Sequence, residues 1–206
     1  MTGTVLFDLF GVIAHHQSLE GKNRLAHTAG ATGPAFWDAY WTLRPPYDRG
    51  EVTGPGYWRQ VADHLGTRFD DRRIAELIAA DVASWSGVDD TMIALLGELA
   101  VADRRIALLS NIPEELAAHY EENHSWFRHF HLHAFSCRIG HAKPEPDAYL
   151  WCQNALRDDP ARILFVDDRQ DNIRGAEAIG MHGHLFTTPA RLRERLAQWY
   201  ASPLAS

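Results

Sequence analysis

The sequence predicts an α/β fold, with a parallel sheet between two layers of helices and an all-α segment inserted after the first strand. From about Val88 onward, short apolar runs alternate with segments of helical periodicity, an order typical of parallel sheets covered by helices. From about Ser18 to Trp85 the periodicity is helical and aromatic residues are frequent. This change of pattern indicates that a helical insert separates the first strand from the rest of the sheet.

The individual elements follow from periodicity and from the glycines and prolines that interrupt it. Residues 4–9 are an apolar run too short for a helix and are predicted as the first strand. The insert is predicted to contain four helices, with breaks at Pro45-Pro46 and at Gly54-Pro55-Gly56. Downstream, the pattern predicts helices over 90–102, from Pro113, over 145–156, over 171–179 and from Pro189, and strands at 105–110, 133–137, 163–166 and 183–186. Pro113 is expected in the first turn of its helix, and the tail 201–206 is expected to fray.

Composition and charge exclude several classes of function. The chain has 206 residues and 46% hydrophobic content, which suits one core with a small accessory domain. A formal charge of −7 without a cluster of Lys and Arg argues against nucleic acid as a partner. No membrane-spanning apolar run or secretory leader is visible, so we expect a cytoplasmic protein. Cys137 and Cys152 are too few for a disulfide framework or a zinc site and are expected to be reduced. The sequence contains no heptad pattern, so it does not indicate an oligomeric state.

Polar residues stand at the ends of apolar runs or in loops at four places in the chain. The strings are FDLFGVI around Asp8, LLSN ending at Ser110-Asn111, AKPEP around Lys143, and LFVDDRQDN around Asp167-Asp168. In open parallel sheets, ligands bind at the carboxyl ends of the strands. We therefore expect Asp8, Ser110 and Asp167 to meet at one edge of the sheet.

The residue types at these places fit phosphoryl transfer. A carboxylate such as Asp8 can attack phosphorus and form an acyl phosphate, although a strand-end Asp can also cap a turn. The Ser110 hydroxyl and a backbone N–H at Asn111 can hold a phosphoryl oxygen, or these residues can cap the next helix. The Lys143 ammonium can pair with the nucleophile and the phosphoryl charge, or it can be solvated.

Asp167 and Asp168 predict a metal ion. Two ionised carboxylates at the end of a buried strand are costly unless a cation or hydrogen-bond donors lie close. Mg²⁺ prefers oxygen ligands and keeps several waters, so two carboxylates and one carbonyl suffice from the protein. The nearby Asp171 can cap the next helix or interact with Lys143.

The order and spacing of the four strings resemble the signature motifs of the haloacid dehalogenase (HAD) superfamily. The resemblance implies a Rossmann-like three-layer core at residues 1–15 and 87–206, with a substrate-selecting helical cap at 16–86. It also implies a Mg²⁺-dependent phosphatase that acts on a small phosphorylated metabolite. In the cap, the string from Tyr47 to Trp58 is similar to that of sugar-phosphate phosphatases and the N-terminal phosphatase domains of epoxide hydrolases.

The same resemblance implies roles for individual residues. Asp8 would be the nucleophile and Lys143 its catalytic partner, with Ser110, Asn111 and Lys143 binding phosphate. The metal ligands would be Asp8, Asp168 and the backbone carbonyl of Phe10, with Asp167 as an indirect or alternate ligand.

Phe10 departs from the superfamily pattern, which usually has a second Asp at this position. That acid protonates the leaving group and then activates water, an effect of about 10²–10⁴-fold. Three interpretations remain: a slow phosphatase that favours good leaving groups, a metal-free 2-haloacid dehalogenase with Asp8 as nucleophile, and a non-catalytic phosphate-binding or regulatory protein. A metal-free dehalogenase does not need the Asp167-Asp168 pair, so the phosphatase is favoured. His15 and His16 could supply the missing proton.

The insert holds the candidates for substrate selection. Four of its aromatic residues can line an apolar pocket or form the insert's own core: Trp37, Trp41, Trp58 and Trp85. Arg44 and Arg49 can meet an anionic substrate or be solvated. The sequence does not identify the substrate.

Overall fold

The computed structural model describes residues 3–201, with a five-stranded parallel sheet at the centre. The strands are β1 (Thr4–Phe7), β2 (Ile106–Ser110), β3 (His133–Phe135), β4 (Ile163–Asp167) and β5 (His182–Leu185). Their order is β3-β2-β1-β4-β5, and Phe7 pairs with Leu108 on one side and Val166 on the other. The carboxyl ends of β1, β2 and β4 therefore lie together.

Helices cover both faces of this sheet, because its strands are apolar on both faces. Val5 and Phe7 of β1 belong to one apolar cluster, whereas Leu6 belongs to another on the opposite face. The helices are α1 (Leu19–Ala29), α2 (Pro34–Thr42), α3 (Arg44–Asp48), α4 (Gly54–His64), α5 (Asp71–Ser84), α6 (Asp90–Val101), α7 (Glu114–Asn123), α8 (Ser136–Ile139), α9 (Pro146–Leu156), α10 (Gln170–Ala178) and α11 (Pro189–Ala201). The predicted Rossmann-like three-layer α/β fold is confirmed.

Helices α1 to α5 pack around an apolar cluster of their own, in which Phe36, Trp58 and Leu77 are fully buried. The sequence predicted four helices here, and the structure has five. Pro45 and Pro46 do not simply interrupt a helix, because they occupy the first turn of α3, where the missing N–H groups have no helical partner to lose.

Several predicted boundaries differ from the structure. β1 ends at Phe7 rather than at residue 9, because the chain turns there and Ile13 N donates to Leu9 O at 2.9 Å. Pro113 precedes α7 as its extended capping residue instead of lying in its first turn. Beyond Ala201, the predicted fraying of the tail lies outside the described residues.

Among the described residues, the chain leaves the sheet domain for the helical insert and returns from it at one place. His15 N donates to Gly87 O at 2.8 Å, so the outgoing and returning segments are paired neighbours. Gln17 Nε2 also donates to Ser84 Oγ at 2.8 Å in the buried region next to this crossing.

Two further expectations concern the chain as a whole. Cys137 and Cys152 are free thiols, in agreement with the prediction. Among residues 3–201, no helix combines the length and apolar character needed to cross a membrane.

Candidate active site

Lys143 joins two buried carboxylates at the carboxyl edge of the sheet. Its Nζ lies 2.7 Å from Asp8 Oδ1 and 2.8 Å from Asp167 Oδ2. The carboxylates are close because β1 and β4 are neighbours, with Asp8 N donating to Val166 O at 2.8 Å. The structure therefore brings these three predicted site residues into direct contact.

Asp167 is held by hydrogen bonds on both of its oxygens. Oδ1 accepts from Arg169 N at 2.8 Å, and Asn172 Nδ2 lies 3.0 Å from each oxygen. Asn172 is buried in the first turns of α10. With all these donors, Asp167 is fixed in the orientation that holds Lys143.

Asn172 was not among the predicted site residues, and the neighbouring Asp171 was considered in its place. The Asp171 side chain is 69% exposed and pairs with Arg174 at 3.4 Å, so it does not interact with Lys143. Asn172 precedes Ile173 by one position and Ala176 by four, so it shares the buried face of α10 with these two apolar residues. This spacing was the signal in the sequence that could have distinguished Asn172 from Asp171.

Asp168 lies against Gly11 and His16. Its Oδ2 is 2.9 Å from His16 Nε2, and its Oδ1 is buried with no hydrogen-bond partner among residues 3–201. Gly11 has φ +84°, and a Cβ there would lie 2.2 Å from Asp168 Oδ2. Glycine is therefore required for both its positive φ and this close approach, which sequence reasoning did not identify.

The three carboxylates form an arrangement that suits a divalent cation. Asp8, Asp167 and Asp168 each offer one oxygen, and these atoms lie within 4.8 Å of one another. Of the three carboxylates, the Lys143 ammonium pairs with those of Asp8 and Asp167, and the unpaired Oδ1 of Asp168 requires a cation or a hydrogen-bond donor. A donor set made only of oxygen matches Mg²⁺. The residues present therefore fit this metal.

Burial and charge act against each other in this cluster. Burial raises the pKa of Asp8 to about 7, against the opposing Lys143 ammonium and with a further increase from Asp167. Burial favours neutral Lys143, but Asp8 and Asp167 outweigh it and raise the Lys143 pKa above its ordinary value. The hydrogen bond to Asp168 raises the pKa of His16. The site thus keeps its lysine charged and favours a further positive charge beside Asp8.

Ser110 and Asn111 lie at the end of β2 with different environments. Ser110 Oγ is buried without a hydrogen-bond partner among the described residues. The Asn111 side chain donates to Lys143 O at 2.8 Å and accepts from Lys143 N at 2.9 Å. Asn111 therefore fixes the loop that carries Lys143, a contact that the sequence did not predict.

The ring of Phe10 packs on the apolar side of the site. Its centroid lies 4.8 Å from that of Trp85 and 5.8 Å from that of Tyr120. The phenyl ring of Phe10 cannot donate a proton. Where the superfamily pattern has a second Asp, this site therefore has an apolar surface instead of an acid.

A cavity of about 460 Å³ opens onto these residues between the sheet domain and the insert. Its wall from the sheet domain includes Asp8, Lys143 and Asp168, and its wall from the insert includes Trp41, Arg44, Asp48 and Arg49. Trp58 is fully buried in the insert's own core. Trp41 and Trp85 line the cavity, whereas Trp37 packs against Phe36 and Tyr40.

The two insert arginines at the cavity are paired with acidic side chains. Arg44 is buried and lies 2.7 Å from Asp48 and 2.9 Å from Asp81. Arg49 lies 2.6 Å from Glu51 and 3.7 Å from Glu145. Neither residue is simply solvated, since both line the cavity with their charges compensated.

Curated proteins similar to this chain include phosphatases. A sesquiterpene phosphatase from Aspergillus oryzae, astK, is 26% identical over 152 residues, covering 72% of this chain and 74% of that protein. The mouse bifunctional epoxide hydrolase 2 is 35% identical over 68 residues, covering 32% of this chain. That match spans only 12% of the length of the mouse protein.

Solved structures share the fold at low sequence identity. A HAD family enzyme from Bacteroides thetaiotaomicron, in complex with magnesium and inorganic phosphate, superposes with a TM-score of 0.74 and 18% identity. It covers 91% of this chain and 95% of its own. The L-2-haloacid dehalogenase from Xanthobacter autotrophicus superposes with a TM-score of 0.62 and 19% identity, covering 98% of this chain and 85% of its own. The fold is thus common to enzymes of different chemistry.

The sequence profile of the haloacid dehalogenase-like hydrolases matches residues 2–180. This range includes β1, the insert and all four predicted motifs. The chain therefore belongs to the haloacid dehalogenase-like hydrolase family.

Proposed function

We propose that this hydrolase is a Mg²⁺-dependent phosphatase of small phosphorylated metabolites that forms an aspartyl phosphate on Asp8. The proposal rests on the crowding of Asp8, Asp167 and Asp168 around one ammonium, with Asp168 Oδ1 buried and unpaired. Such a cluster favours a further cation. A divalent ion in this position would also neutralise charge on a phosphoryl group.

Asp8 and Lys143 are the proposed catalytic residues. Lys143 Nζ and Leu9 N both contact Asp8 Oδ1, at 2.7 and 2.6 Å, so Oδ2 is the proposed nucleophile. It forms a bond to phosphorus while the bond from phosphorus to the leaving oxygen breaks. Water then attacks phosphorus, which releases inorganic phosphate and returns the Asp8 carboxylate.

The remaining site residues have supporting roles in this proposal. Asp8, Asp168 and the Phe10 carbonyl would hold Mg²⁺, with Asp167 as an indirect or alternate ligand. Ser110, the backbone N–H of Asn111 and Lys143 would bind the phosphoryl oxygens, and the buried, unpaired Ser110 Oγ supports this assignment.

We also propose the domain division predicted from the sequence, with a core of residues 1–15 and 87–206 and a cap of 16–86. The separate apolar cluster of α1 to α5 supports it. So does the single crossing at His15 and Gly87. In this arrangement the cap would select the substrate and exclude water from the cavity.

A 2-haloacid dehalogenase is the second candidate, favoured by the apolar Phe10 beside Asp8. Such an enzyme must hold the carboxylate of its substrate with a cation or with N–H donors. Arg44 is paired with Asp48 and Asp81, and in a metal-free site Asp168 would repel a carboxylate, whereas Mg²⁺ would offset its charge in the phosphatase. These charges favour the phosphatase.

Turnover by wild type and Asp8→Asn tests the proposal. With Mg²⁺, wild type should hydrolyse 4-nitrophenyl phosphate and acetyl phosphate, and a chelator should stop it. Asp8→Asn keeps nearly the same volume and should lose activity by about 10³-fold or more while its circular dichroism is unchanged. Halide release from 2-chloropropionate without metal would identify the dehalogenase instead. Phosphate binding by calorimetry without any turnover would identify a binding protein.

A further inference from the structure

The geometry points to a leaving-group subsite made by Phe10, Trp41 and Trp85, which selects phosphate monoesters of flat aromatic alcohols. This inference rests on the proposed phosphatase function and names its substrate class. It concerns the part of the substrate that the carboxylate cluster and Lys143 do not hold.

The three rings form one aromatic surface along the cavity. Phe10 and Trp85 have centroids 4.8 Å apart, and Trp41 stands edge-on to Trp85 at 6.2 Å and 88°. All three line the same cavity as Asp8 and Lys143. Phe10 follows the nucleophile by two positions, so this surface begins immediately beside the reacting group.

Trp85 is fixed in place by hydrogen bonds at both its ring and its backbone. Its Nε1 donates to Tyr40 OH at 3.1 Å, and its carbonyl accepts from Tyr120 OH at 2.6 Å. The Tyr40 hydroxyl donates to Asp81 at 2.7 Å, which anchors it in turn. The Trp85 side chain is therefore already ordered, and the aromatic wall formed by Phe10, Trp41 and Trp85 loses little conformational entropy when a ligand packs on it.

Trp41 is the exposed part of the wall. It is 48% exposed, whereas Trp58 and Tyr40 of the same insert are fully buried. A large indole left uncovered at the mouth of a cavity gains from apolar contact with an occupant, at about 25 cal/mol per Å² of surface removed from water. Edge-on and offset ring packing also favours a flat aromatic occupant.

The charges around the wall indicate a neutral leaving group. Arg44 is paired with Asp48, and Arg49 with Glu51 and Glu145. These pairs leave neither insert arginine uncompensated for a second anionic group, and Arg169, which also lines the cavity, follows Asp168 on the sheet side. Since the leaving group departs opposite the attacking oxygen in an in-line displacement, it faces away from Asp8 and toward the insert that carries Trp41.

The test measures binding separately from turnover. Calorimetry on the full chain with Mg²⁺ compares the Kd of 1-naphthylmethylphosphonate with that of methylphosphonate, two non-hydrolysable probes that differ in the aromatic group. Wild type should prefer the naphthyl probe by about 50-fold, and Trp41→Ala should reduce this ratio about fivefold. Trp41→Phe should give an intermediate ratio. Trp37→Ala, one helical turn earlier, should keep the wild-type ratio.

The results separate the subsite from the chemistry. A wild-type preference that falls in Trp41→Ala, with unchanged circular dichroism, supports the subsite. Equal affinity of wild type for the two probes, or an equal ratio in wild type and Trp41→Ala, overturns it even if acetyl phosphate is hydrolysed. A failed phosphatase assay with acetyl phosphate overturns the proposed function, and with it the assignment of this wall to a leaving group.

Discussion

At the scale of the residue, Phe10 sets the chemical limits of the site. Its ring packs on Trp85 and Tyr120, so the position two residues after Asp8 contributes apolar surface instead of a proton. A leaving group must then depart unprotonated or take its proton from another source. We therefore expect acetyl phosphate to be cleaved much faster than an alkyl phosphate.

Replacing Phe10 tests this limit. Phe10→Asp should raise alkyl-phosphate hydrolysis about tenfold or more, because it supplies a general acid at the missing position. Phe10→Asn has nearly the same shape as Phe10→Asp without an acidic proton, and it is the matched control. Steady-state rates on an alkyl phosphate compare the two variants. Equal rates for them, or similar wild-type rates on alkyl and acetyl esters, would mean that the proton comes from elsewhere.

Gly11 gives a second prediction at this scale. Gly11→Ala should abolish Mg²⁺ binding, because the added Cβ would lie 2.2 Å from Asp168 Oδ2 and displace that carboxylate. Gly66→Ala is the control, since Gly66 also has a positive φ (+65°) but nothing within 4 Å of the added Cβ. It should cost about 1 kcal/mol of stability and keep the Mg²⁺ affinity, as measured by calorimetry. The same loss in both variants would show that backbone strain, and not the contact with Asp168, is responsible.

At the scale of the element, α7 of the sheet domain contacts the insert through Tyr120, which donates to the Trp85 carbonyl, and through Glu115. The Glu115 carboxylate accepts from Tyr47 OH at 2.8 Å and from Gly54 N at 3.0 Å. Tyr47 is buried in α3 and Gly54 begins α4. One carboxylate therefore links three helices across the boundary between the two parts of the protein.

Removing this carboxylate should destabilise the protein. Glu115→Ala leaves the buried Tyr47 hydroxyl without its acceptor, which costs about 1–3 kcal/mol. Glu114→Ala removes the neighbouring, exposed carboxylate, which pairs with Arg138, and should cost less than about 1 kcal/mol. Urea unfolding gives both free energies. Similar losses for the two variants would contradict the role assigned to Glu115.

The sequence predicted the type of each major element better than its ends. Periodicity identified the central strands and long helices because their buried faces are continuous, as in β4, where all five residues are buried. The prolines were harder to interpret, because proline suits both a break and a first turn. Pro45 and Pro46 lie in the first turn of α3, whereas Pro113 lies just before α7. Tertiary contacts decide between these uses, and they are not local in sequence.

At the scale of the whole molecule, the carboxylate cluster should make stability depend on Mg²⁺. Binding to the folded state at 100 times the Kd stabilises a protein by about 2.7 kcal/mol, or about 5–10 °C in Tm for a chain of this size. Wild type should show this increase by calorimetry. Asp168→Asn should not, whereas Asp171→Asn, which removes an exposed carboxylate nearby, should behave as wild type. An equal increase in Asp168→Asn would contradict the proposed ligand.

Much of the site could be predicted because the ends of parallel strands meet at one edge. This rule predicted that Asp8, Ser110 and Asp167 would lie together. This rule does not give the orientation of side chains. The hydrogen bonds of Asn111 with the Lys143 backbone and of Asn172 with Asp167 were therefore not predicted. The same limit applies to the cavity wall, since only the packed insert shows that Trp41 is exposed and Trp58 is buried.

The pairing of His15 with Gly87 has a consequence for how this chain can vary. Because the two segments leave and return side by side, deletion or replacement of everything between them requires only a short turn to reconnect the sheet domain. Exposed insertion points commonly tolerate such replacement. We therefore expect that the segment between His15 and Gly87 can be exchanged as one unit. If the insert selects the substrate, as proposed, exchange at this one location would change the substrate range without altering the strands that hold Asp8 and Asp167.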